Sequence, residues 1–296
     1  MSRVSRRRFI GSALGSATLA SVSAGVARSQ QLSDVDVGRL GKTPHTKFAC
    51  NVEMWWRKLP FLERIKKAAS FGYPAVEFWG SHRKDPQAVA DLTQKLGIAV
   101  AQFTAASGFN NPDKLDQFVE AINDACRTAK ILKAKKACVV AGANIKGMTE
   151  RQMHDQCIVA LKKVAPIVEQ NDLMLILEPL NIRVDHKGQC LYRSPDAVRI
   201  CREVGSTHVK INWDLYHQQI TEGDLCGHLR EGFDQVGYVQ LADHPGRHEP
   251  GTGEICYNRV LKEVYDLGYR GYVGLECTPK TTELAAAIAV AKADVW

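Results

Sequence analysis

Eight short apolar runs, each followed by a segment long enough for a helix, dominate this sequence. The runs are Lys47–Asn51, Ala75–Trp79, Ile98–Phe103, Lys136–Ala141, Leu173–Glu178, Val209–Asp214, Val236–Leu241 and Tyr272–Glu276. Because most of them are almost continuously apolar, they are typical of parallel strands that are covered on both faces. Eight such units within about 250 residues predict an α/β protein with a closed (β/α)8 barrel, the TIM-barrel fold.

Amphipathic segments with the apolar spacing of helices lie between these runs. They cover Pro60–Phe71, Pro112–Leu132, Glu150–Glu169, Pro195–Val204, Asp224–Glu231, Tyr257–Leu267 and Thr282–Ala293. Gly72, Gly97, Gly205 and Gly268 stand before later strands, at positions where helices commonly end on a glycine. The sequence contains no GxGxxG after its first strand and no GxxxxGK[ST], so a nucleotide-binding fold has no support.

The first 27 residues predict a targeting segment. Ser5–Ile10 contains a twin-arginine pattern, and the weakly apolar stretch from Gly11 to Val26 is interrupted by five hydroxyl side chains. Those hydroxyl groups make it a poor transmembrane span. We therefore expect a Tat-type signal peptide over residues 1–27, cleaved near Ala27, a polar linker over residues 28–45 and one barrel domain over residues 46–296. The resemblance to a Tat signal implies export to the periplasm, with no stable membrane anchor after cleavage.

The net charge of +7 comes largely from the targeting segment. The chain has 39 Lys and Arg residues against 32 Asp and Glu residues, and four of the arginines lie within residues 1–27. The remaining excess of three basic residues is spread along the chain without a block of like charge. This pattern is typical of a solvated surface, and we expect no nucleic-acid partner.

The nine cysteines do not form a recognisable framework. Their number is odd, their spacing is irregular and no CxxC motif occurs. Close cysteine pairs would be expected for a structural zinc site, so buried free thiols are the better interpretation. The formation of one disulfide in an oxidising compartment stays open.

Four consecutive predicted strands end in side chains that carry oxygen. The fifth closes on Glu178, the sixth on Asp214 and the eighth on Glu276. The seventh closes on Gln240 or runs on to Asp243 and His244. In TIM barrels the C-terminal ends of the strands converge on the active site. One such acid alone would more often cap the next helix, but three carboxylates together repel unless a cation or proton lies among them. Oxygen ligands favour Mg²⁺ or Mn²⁺ over thiolate-bound zinc, so we predict one divalent metal.

Three segments resemble the hydroxypyruvate isomerase family, which belongs to the xylose isomerase-like barrels and has the ketose 3-epimerases as cousins. They are Leu177–Asn181, Asn212–His217 and Val239–Ile255, and the resemblance extends over about residues 47–280. It implies that Glu178, Asp214, Gln240 and Glu276 bind the metal and that Glu178 and Glu276 transfer the proton. Epimerases carry His at the position of Gln240 and Glu at the position of Val184, which favours the isomerase.

The resemblance implies an aldose–ketose type isomerase that interconverts hydroxypyruvate and tartronate semialdehyde, a small-molecule substrate pair, through an enediolate. His217, three residues after Asp214, and Arg247, in the loop after the seventh strand, are the predicted substrate-binding residues. A ketose 3-epimerase or related dehydratase, and an exported sugar-binding barrel without turnover, remain alternatives. Assembly into a homo-oligomer stays open. Glu77, within the second run, is either a structural partner inside the barrel or a support for the site.

Overall fold

Eight parallel strands form one closed barrel in chain order in the computed structural model, which describes residues 35–296. The strands are β1 (Lys47–Asn51), β2 (Ala75–Phe78), β3 (Ala99–Ser107), β4 (Lys136–Val140), β5 (Met174–Glu178), β6 (Val209–Asp214), β7 (Val236–Leu241) and β8 (Tyr272–Leu275). The predicted signal peptide and residues 28–34 of the predicted linker lie outside the described residues. The TIM-barrel prediction is confirmed, and β3 extends four residues past its predicted end because it resumes pairing with β4 after a register shift.

Nine α-helices accompany the strands within residues 35–296. They are α1 (Phe61–Ser70), α2 (Pro86–Leu96), α3 (Leu115–Leu132), α4 (Glu150–Gln170), α5 (Ser194–Val204), α6 (Leu215–Thr221), α7 (Leu225–Gly232), α8 (Tyr257–Asp266) and α9 (Glu283–Ala293). The seven predicted helices are present, while α2 and α6 were not predicted. Helix α2 begins with a local signal, since the Asp85 side chain accepts from two backbone N–H groups and Pro86 occupies the first turn.

The interior of the barrel is lined by small side chains and by buried polar ones. Ala49, Ala75, Ala101 and Cys138 pack there with Ile176 and Tyr238. Small residues leave space inside the barrel, and buried polar side chains, including Glu77 and Asn212, lie there beside this layer. The larger apolar side chains, such as Trp213, instead pack in the extensive core between strands and helices. The interior therefore has room for polar chemistry near the C-terminal ends of the strands.

Part of the predicted linker packs against the barrel. The Gly41 N–H donates to the Phe71 carbonyl oxygen at 2.8 Å. A Cβ atom on Gly41 would lie 2.4 Å from the Tyr73 nitrogen, so this close approach requires glycine. The backbone N–H groups of His45 and Thr46 both donate to the Asp294 carboxylate at 2.9 Å. These contacts tie the segment before β1 to the end of the last helix.

Two further features bear on the expectations from sequence. All nine cysteines fall within the described residues and are free thiols, seven of them buried, which agrees with the interpretation given above. Among residues 35–296, no helix combines the length and the apolar character needed to cross a membrane.

Candidate active site

Four buried side chains converge at the C-terminal ends of the strands. Glu178, Asp214, His217 and Glu276 each offer one potential ligand atom, and these atoms lie within 4.8 Å of one another. Glu178 and Asp214 end β5 and β6, Glu276 follows β8 and His217 lies in the first half of α6. The structure thus brings together three of the four predicted metal ligands and a predicted substrate-binding residue. We call these four residues the carboxylate–histidine cluster.

The fourth predicted ligand, Gln240, lies beside this cluster with both ends of its amide engaged. It is the register partner of Asp214 in the neighbouring strand, so the two side chains leave the sheet on the same side. The Gln240 Nε2 donates to Glu77 Oε1 at 2.8 Å, and its Oε1 accepts from Asn212 Nδ2 at 2.5 Å. Its amide is therefore held in one orientation next to Asp214.

The two predicted catalytic glutamates have different hydrogen-bond partners. Glu276 accepts from the Trp79 indole Nε1 at 2.7 Å and from the Arg247 guanidinium at 2.7 Å. Glu178 accepts from the Cys138 thiol at 3.2 Å. Because an ionic donor stabilises a carboxylate far more than a thiol does, Glu276 is the better stabilised anion and Glu178 the better proton acceptor.

Arg247 reaches the cluster from the loop between β7 and α8. The Asp243 carboxylate organises this loop by accepting from the backbone N–H groups of Gly251 and Gly253 at 2.8 and 2.9 Å. Asp243, which sequence alone left as a rival end to the seventh strand, is thus a loop-forming residue. The Arg247 guanidinium lies over the Tyr216 ring, 5.0 Å from its centroid. It reaches into the site, as the sequence-based prediction of a substrate contact requires.

Burial shifts the pKa values of Glu178, Asp214 and His217. Burial raises the pKa of Glu178 well above its usual range, and the charges of Glu276 and Asp214 add to this effect. Burial, followed by the charge of Glu276, raises the pKa of Asp214 to about 8. Burial lowers the pKa of His217 well below its usual range, with Arg247 as a further cause. The cluster without a cation therefore holds protons, and the histidine is neutral.

The hydrogen bonds around His217 define which ring nitrogen carries the proton. The Asn181 Oδ1 accepts from the backbone N–H groups of Val184 and Asp185, so its Nδ2 faces His217 Nδ1 at 2.7 Å and donates to it. Since Nδ1 is an acceptor, Nε2 bears the hydrogen. This Nε2 is buried without a hydrogen-bond partner in the described part of the chain and lies 3.5 Å from Asp214 Oδ2. His217 is near enough to be a metal ligand, but this tautomer makes it a donor.

The remaining donor set fits a divalent cation. The Asp214 Oδ1 caps α6 by accepting the Tyr216 N–H at 2.8 Å, whereas its buried Oδ2 has no hydrogen-bond partner within residues 35–296. Buried oxygen atoms without a partner are rare in folded proteins. A cation bound by this oxygen and by Glu178 and Glu276 would satisfy it and would offset the repulsion among the three acids.

A cavity of about 250 Å³ opens onto this cluster. Its walls are formed by Trp79, Thr104, Cys138, Val140, Glu178, Leu180, His186, His217, Arg247 and Glu276. Trp79 is the last residue of the second apolar run of the sequence. Cys138 and His186 were missed, because a thiol within a strand and a histidine in a loop carry no local signal of function. The small size of the cavity favours a small substrate.

The fold and this site define a class of protein, a TIM-barrel enzyme with buried acids grouped at the C-terminal ends of its strands. Residues 65–293 match the model of the xylose isomerase-like TIM barrel. The chain is 31% identical over 245 residues to hydroxypyruvate isomerase of Escherichia coli strain K12, a match that covers 80% of this chain and 95% of that enzyme. It is 31% identical over 246 residues to 2-oxo-tetronate isomerase of Cupriavidus necator, covering 79% and 93%.

A solved structure shares the same architecture. The crystal structure of an AP endonuclease, family 2, from Brucella melitensis aligns with a TM-score of 0.77 and 25% identity over 81% of this chain and 96% of that one. The chain belongs to the xylose isomerase-like TIM-barrel family. It is an isomerase, related to hydroxypyruvate isomerase and 2-oxo-tetronate isomerase, as the sequence motifs predicted.

Substitution of Trp79 tests its contact with Glu276. We expect Trp79→Phe to lower kcat roughly 10-fold, because it removes one hydrogen bond to a buried carboxylate and keeps an aromatic wall. Steady-state kinetics of the isomerisation would measure the loss. Trp296→Phe is a matched control, since Trp296 is 36% exposed against 37% for Trp79 and stacks on His45 instead. Equal activity of the two variants would contradict a role for the indole N–H.

Proposed function

We propose that this protein is a metal-dependent isomerase that interconverts hydroxypyruvate and tartronate semialdehyde through an enediolate. The observation that carries the proposal is the pair Glu178 and Glu276 on the wall of one small cavity, grouped with Asp214. The Asp214 Oδ2 has no hydrogen-bond partner among the described residues. Two carboxylates of unequal basicity suit the removal of a proton from one carbon and its return to the next. The 31% identity to hydroxypyruvate isomerase supports this substrate.

A divalent cation, when bound, would supply Lewis-acid polarisation of the substrate's carbonyl and hydroxyl oxygens. Glu178, Asp214 and Glu276 would hold it, with Gln240 as the fourth ligand. Oxygen donors of this kind favour Mg²⁺ or Mn²⁺. These assignments agree with the buried Asp214 Oδ2 and with the position of Gln240 beside Asp214.

The proton transfer follows from the partners of the two glutamates. Glu178, held by the Cys138 thiol, takes the proton from C3 of hydroxypyruvate. The electron pair left by that C–H bond forms the C2–C3 double bond of the enediolate, and the negative charge moves to the carbonyl oxygen at C2. Glu178, or Glu276 in its protonated form, then delivers a proton to C2. The proton of the C3 hydroxyl passes to the oxygen on C2, so that C3 becomes the aldehyde carbon and C2 carries the hydroxyl.

His217 and Arg247 would orient the substrate. The Nε2–H of His217 has no hydrogen-bond partner within residues 35–296, and the ring lines the cavity. It is therefore placed to donate to the oxygen on which charge develops. Arg247 donates to Glu276 and has further N–H groups that suit the substrate carboxylate. Both roles agree with the substrate-binding assignment made from sequence.

An assay with a panel of substrates tests the proposal. The purified protein should convert hydroxypyruvate in the presence of Mn²⁺ or Mg²⁺ and should lose that activity with a chelator. 2-Oxo-tetronate is the second candidate substrate, because the enzyme named for it is equally identical to this chain. Preferential turnover of a ketose by epimerisation would replace the proposal with the epimerase alternative. Metal binding without proton exchange into any substrate would instead favour a binding protein.

We also propose that residues 1–27 direct export by the Tat route. The twin arginines and the small residues before Arg28 support this assignment. Expression of the full chain should yield periplasmic protein that begins near residue 28. Replacement of Arg6 and Arg7 by Lys should retain the protein in the cytoplasm, and unaltered export of that variant would exclude the Tat route.

A further inference from the structure

Glu77 of β2 is a fully buried carboxylate inside the barrel that no step of the proposed reaction uses. It is 0% exposed, and within the described part of the chain its two oxygens accept four hydrogen bonds. Oε1 accepts from Asn51 Nδ2 at 3.0 Å and from Gln240 Nε2 at 2.8 Å, and Oε2 accepts from Gln102 Nε2 at 3.2 Å and from the Tyr238 hydroxyl at 2.8 Å. None of these donors is a cation. A buried carboxylate held by neutral donors alone is costly and calls for an explanation.

The neighbouring strand is shaped to admit this carboxylate. Gly274 of β8 is the register partner of Gln240. A Cβ atom on Gly274 would lie 2.3 Å from Glu77 Oε2 and 2.8 Å from Gln240 Cγ. Glycine is therefore required at position 274 for Glu77 and Gln240 to form their hydrogen bond. The contact thus depends on residues of three strands, β2, β7 and β8.

The contact lies directly beside the carboxylate–histidine cluster. Gln240 pairs in register with Asp214 on one side and with Gly274 on the other, and Glu276 follows Gly274 by two residues. A carboxylate only accepts hydrogen bonds, so Glu77 engages the nitrogen of the Gln240 amide and turns its oxygen away. Asn212 Nδ2 donates to the Gln240 oxygen and reinforces the same orientation of the amide. The second lone pair of Gln240 Oε1 is then left for another partner.

We propose that Glu77 is a positioning residue that holds the Gln240 amide with its oxygen available to the divalent cation. This inference rests on the metal site of the proposed function. Without the carboxylate, the amide can rotate by half a turn and present its NH₂ group, which repels a cation. Glu77 then affects metal affinity through Gln240, without touching the metal or the substrate.

Titration of the metal-free protein with Mn²⁺ tests this role, with calorimetry giving Kd for each variant. We expect Glu77→Gln to raise the Kd for Mn²⁺ about 10- to 100-fold, the usual effect of losing a partner that orients a metal ligand. If Glu77→Gln does not fold, Glu77→Asp draws the carboxylate back by one methylene and should also raise Kd. Gln240→Ala should raise Kd as well, and combining it with the Glu77 change should add little, because both act through one amide.

Asp294→Asn is the matched control. Asp294 is also 0% exposed and also accepts several hydrogen bonds, from the N–H groups of His45 and Thr46 and from the Thr46 hydroxyl, but it lies away from the cluster. It should lower Tm and leave the Kd for Mn²⁺ at the wild-type value. If Asp294→Asn weakens Mn²⁺ binding as much as Glu77→Gln does, loss of stability explains the effect and the proposal fails.

The remaining outcomes separate this inference from the proposed function. Wild-type protein that binds no Mn²⁺ would overturn the metal site, and the role of Glu77 with it. Wild-type protein that binds Mn²⁺ while a folded Glu77 variant binds it equally well would overturn only the positioning role. Additive effects of the Glu77 and Gln240 changes would likewise exclude action through the amide.

Discussion

Replacement of Glu178 or Glu276 by Gln is expected to lower kcat about 10²- to 10⁴-fold, the usual contribution of a positioned acid or base. Gln has nearly the same shape as Glu but cannot carry the proton. Both residues are buried on the wall of the cavity, so no bulk water takes their place. Steady-state kinetics of hydroxypyruvate isomerisation would measure the loss in each variant.

Hydrogen exchange into the substrate distinguishes the roles of the two glutamates. In ²H₂O, Glu178→Gln should abolish exchange at C3 of hydroxypyruvate, because Glu178 is the better proton acceptor. Metal content must be measured in both variants, since each residue is also a proposed ligand. Glu254→Gln is the control, because Glu254 lies exposed in the loop after β7 and pairs with Gln219. Near-wild-type turnover in both site variants would show that neither glutamate transfers the proton.

Removal of divalent cations is expected to abolish turnover and to reverse the effect of pH on stability. Burial and the charge of Glu276 raise the pKa of Asp214 to about 8 in the folded protein, against about 4 in an unfolded chain. Between these values the folded metal-free protein binds more protons than the unfolded chain does. Its free energy of unfolding therefore falls as pH rises from about 4 to about 8.

Bound cations should oppose this loss of folding stability as pH rises. A bound metal would replace the protons in the cluster, so Mn²⁺ affinity should rise with pH up to about 8, and binding should release protons. At a concentration 100 times Kd, Mn²⁺ should stabilise the fold by about 2.7 kcal/mol. Thermal unfolding with and without Mn²⁺, at about pH 5 and about pH 8, measures both effects.

Asp214→Asn provides the matched variant for this experiment. It removes the titrating group and retains an oxygen that can accept the Tyr216 N–H at the start of α6. Its metal-free form should lose less stability on going to pH 8 than the wild type, and Mn²⁺ should stabilise it less. If the Tm of the metal-free wild-type protein stays constant or rises between about pH 5 and about pH 8, protonation of the cluster is contradicted.

The barrel was predictable because its signals are local. Each strand is a short, mostly apolar run, as residues 174–177 are within β5. A parallel sheet that is buried on both faces requires this pattern. Helix α6 was missed because it spans only Leu215–Thr221 and follows β6 without a loop, so no break in the pattern separates the two.

The members of the site were predictable only where a residue's position in its strand determines where its side chain points. Glu178 and Asp214 end their strands, and the barrel closes so that these ends meet; the structure accordingly brings them together with Glu276. The prediction of Gln240 as a ligand rested more on family resemblance than on its strand position, and its hydrogen bond to Glu77 could not be foreseen. That contact joins strands separated by 163 positions in the chain, and no local pattern specifies which side chains meet across a barrel.

The sequence by itself determined the fold, the family and the group of acids near one rim, because apolar periodicity, strand ends and contiguous motifs are properties of neighbouring residues. Only the tertiary structure decided how those acids differ. Trp79 and Arg247 donate to Glu276, the Cys138 thiol donates to Glu178, and the Gln240 amide donates to Glu77. Acidity and orientation depend on burial and on partners from distant strands, and these exist only once the barrel has closed.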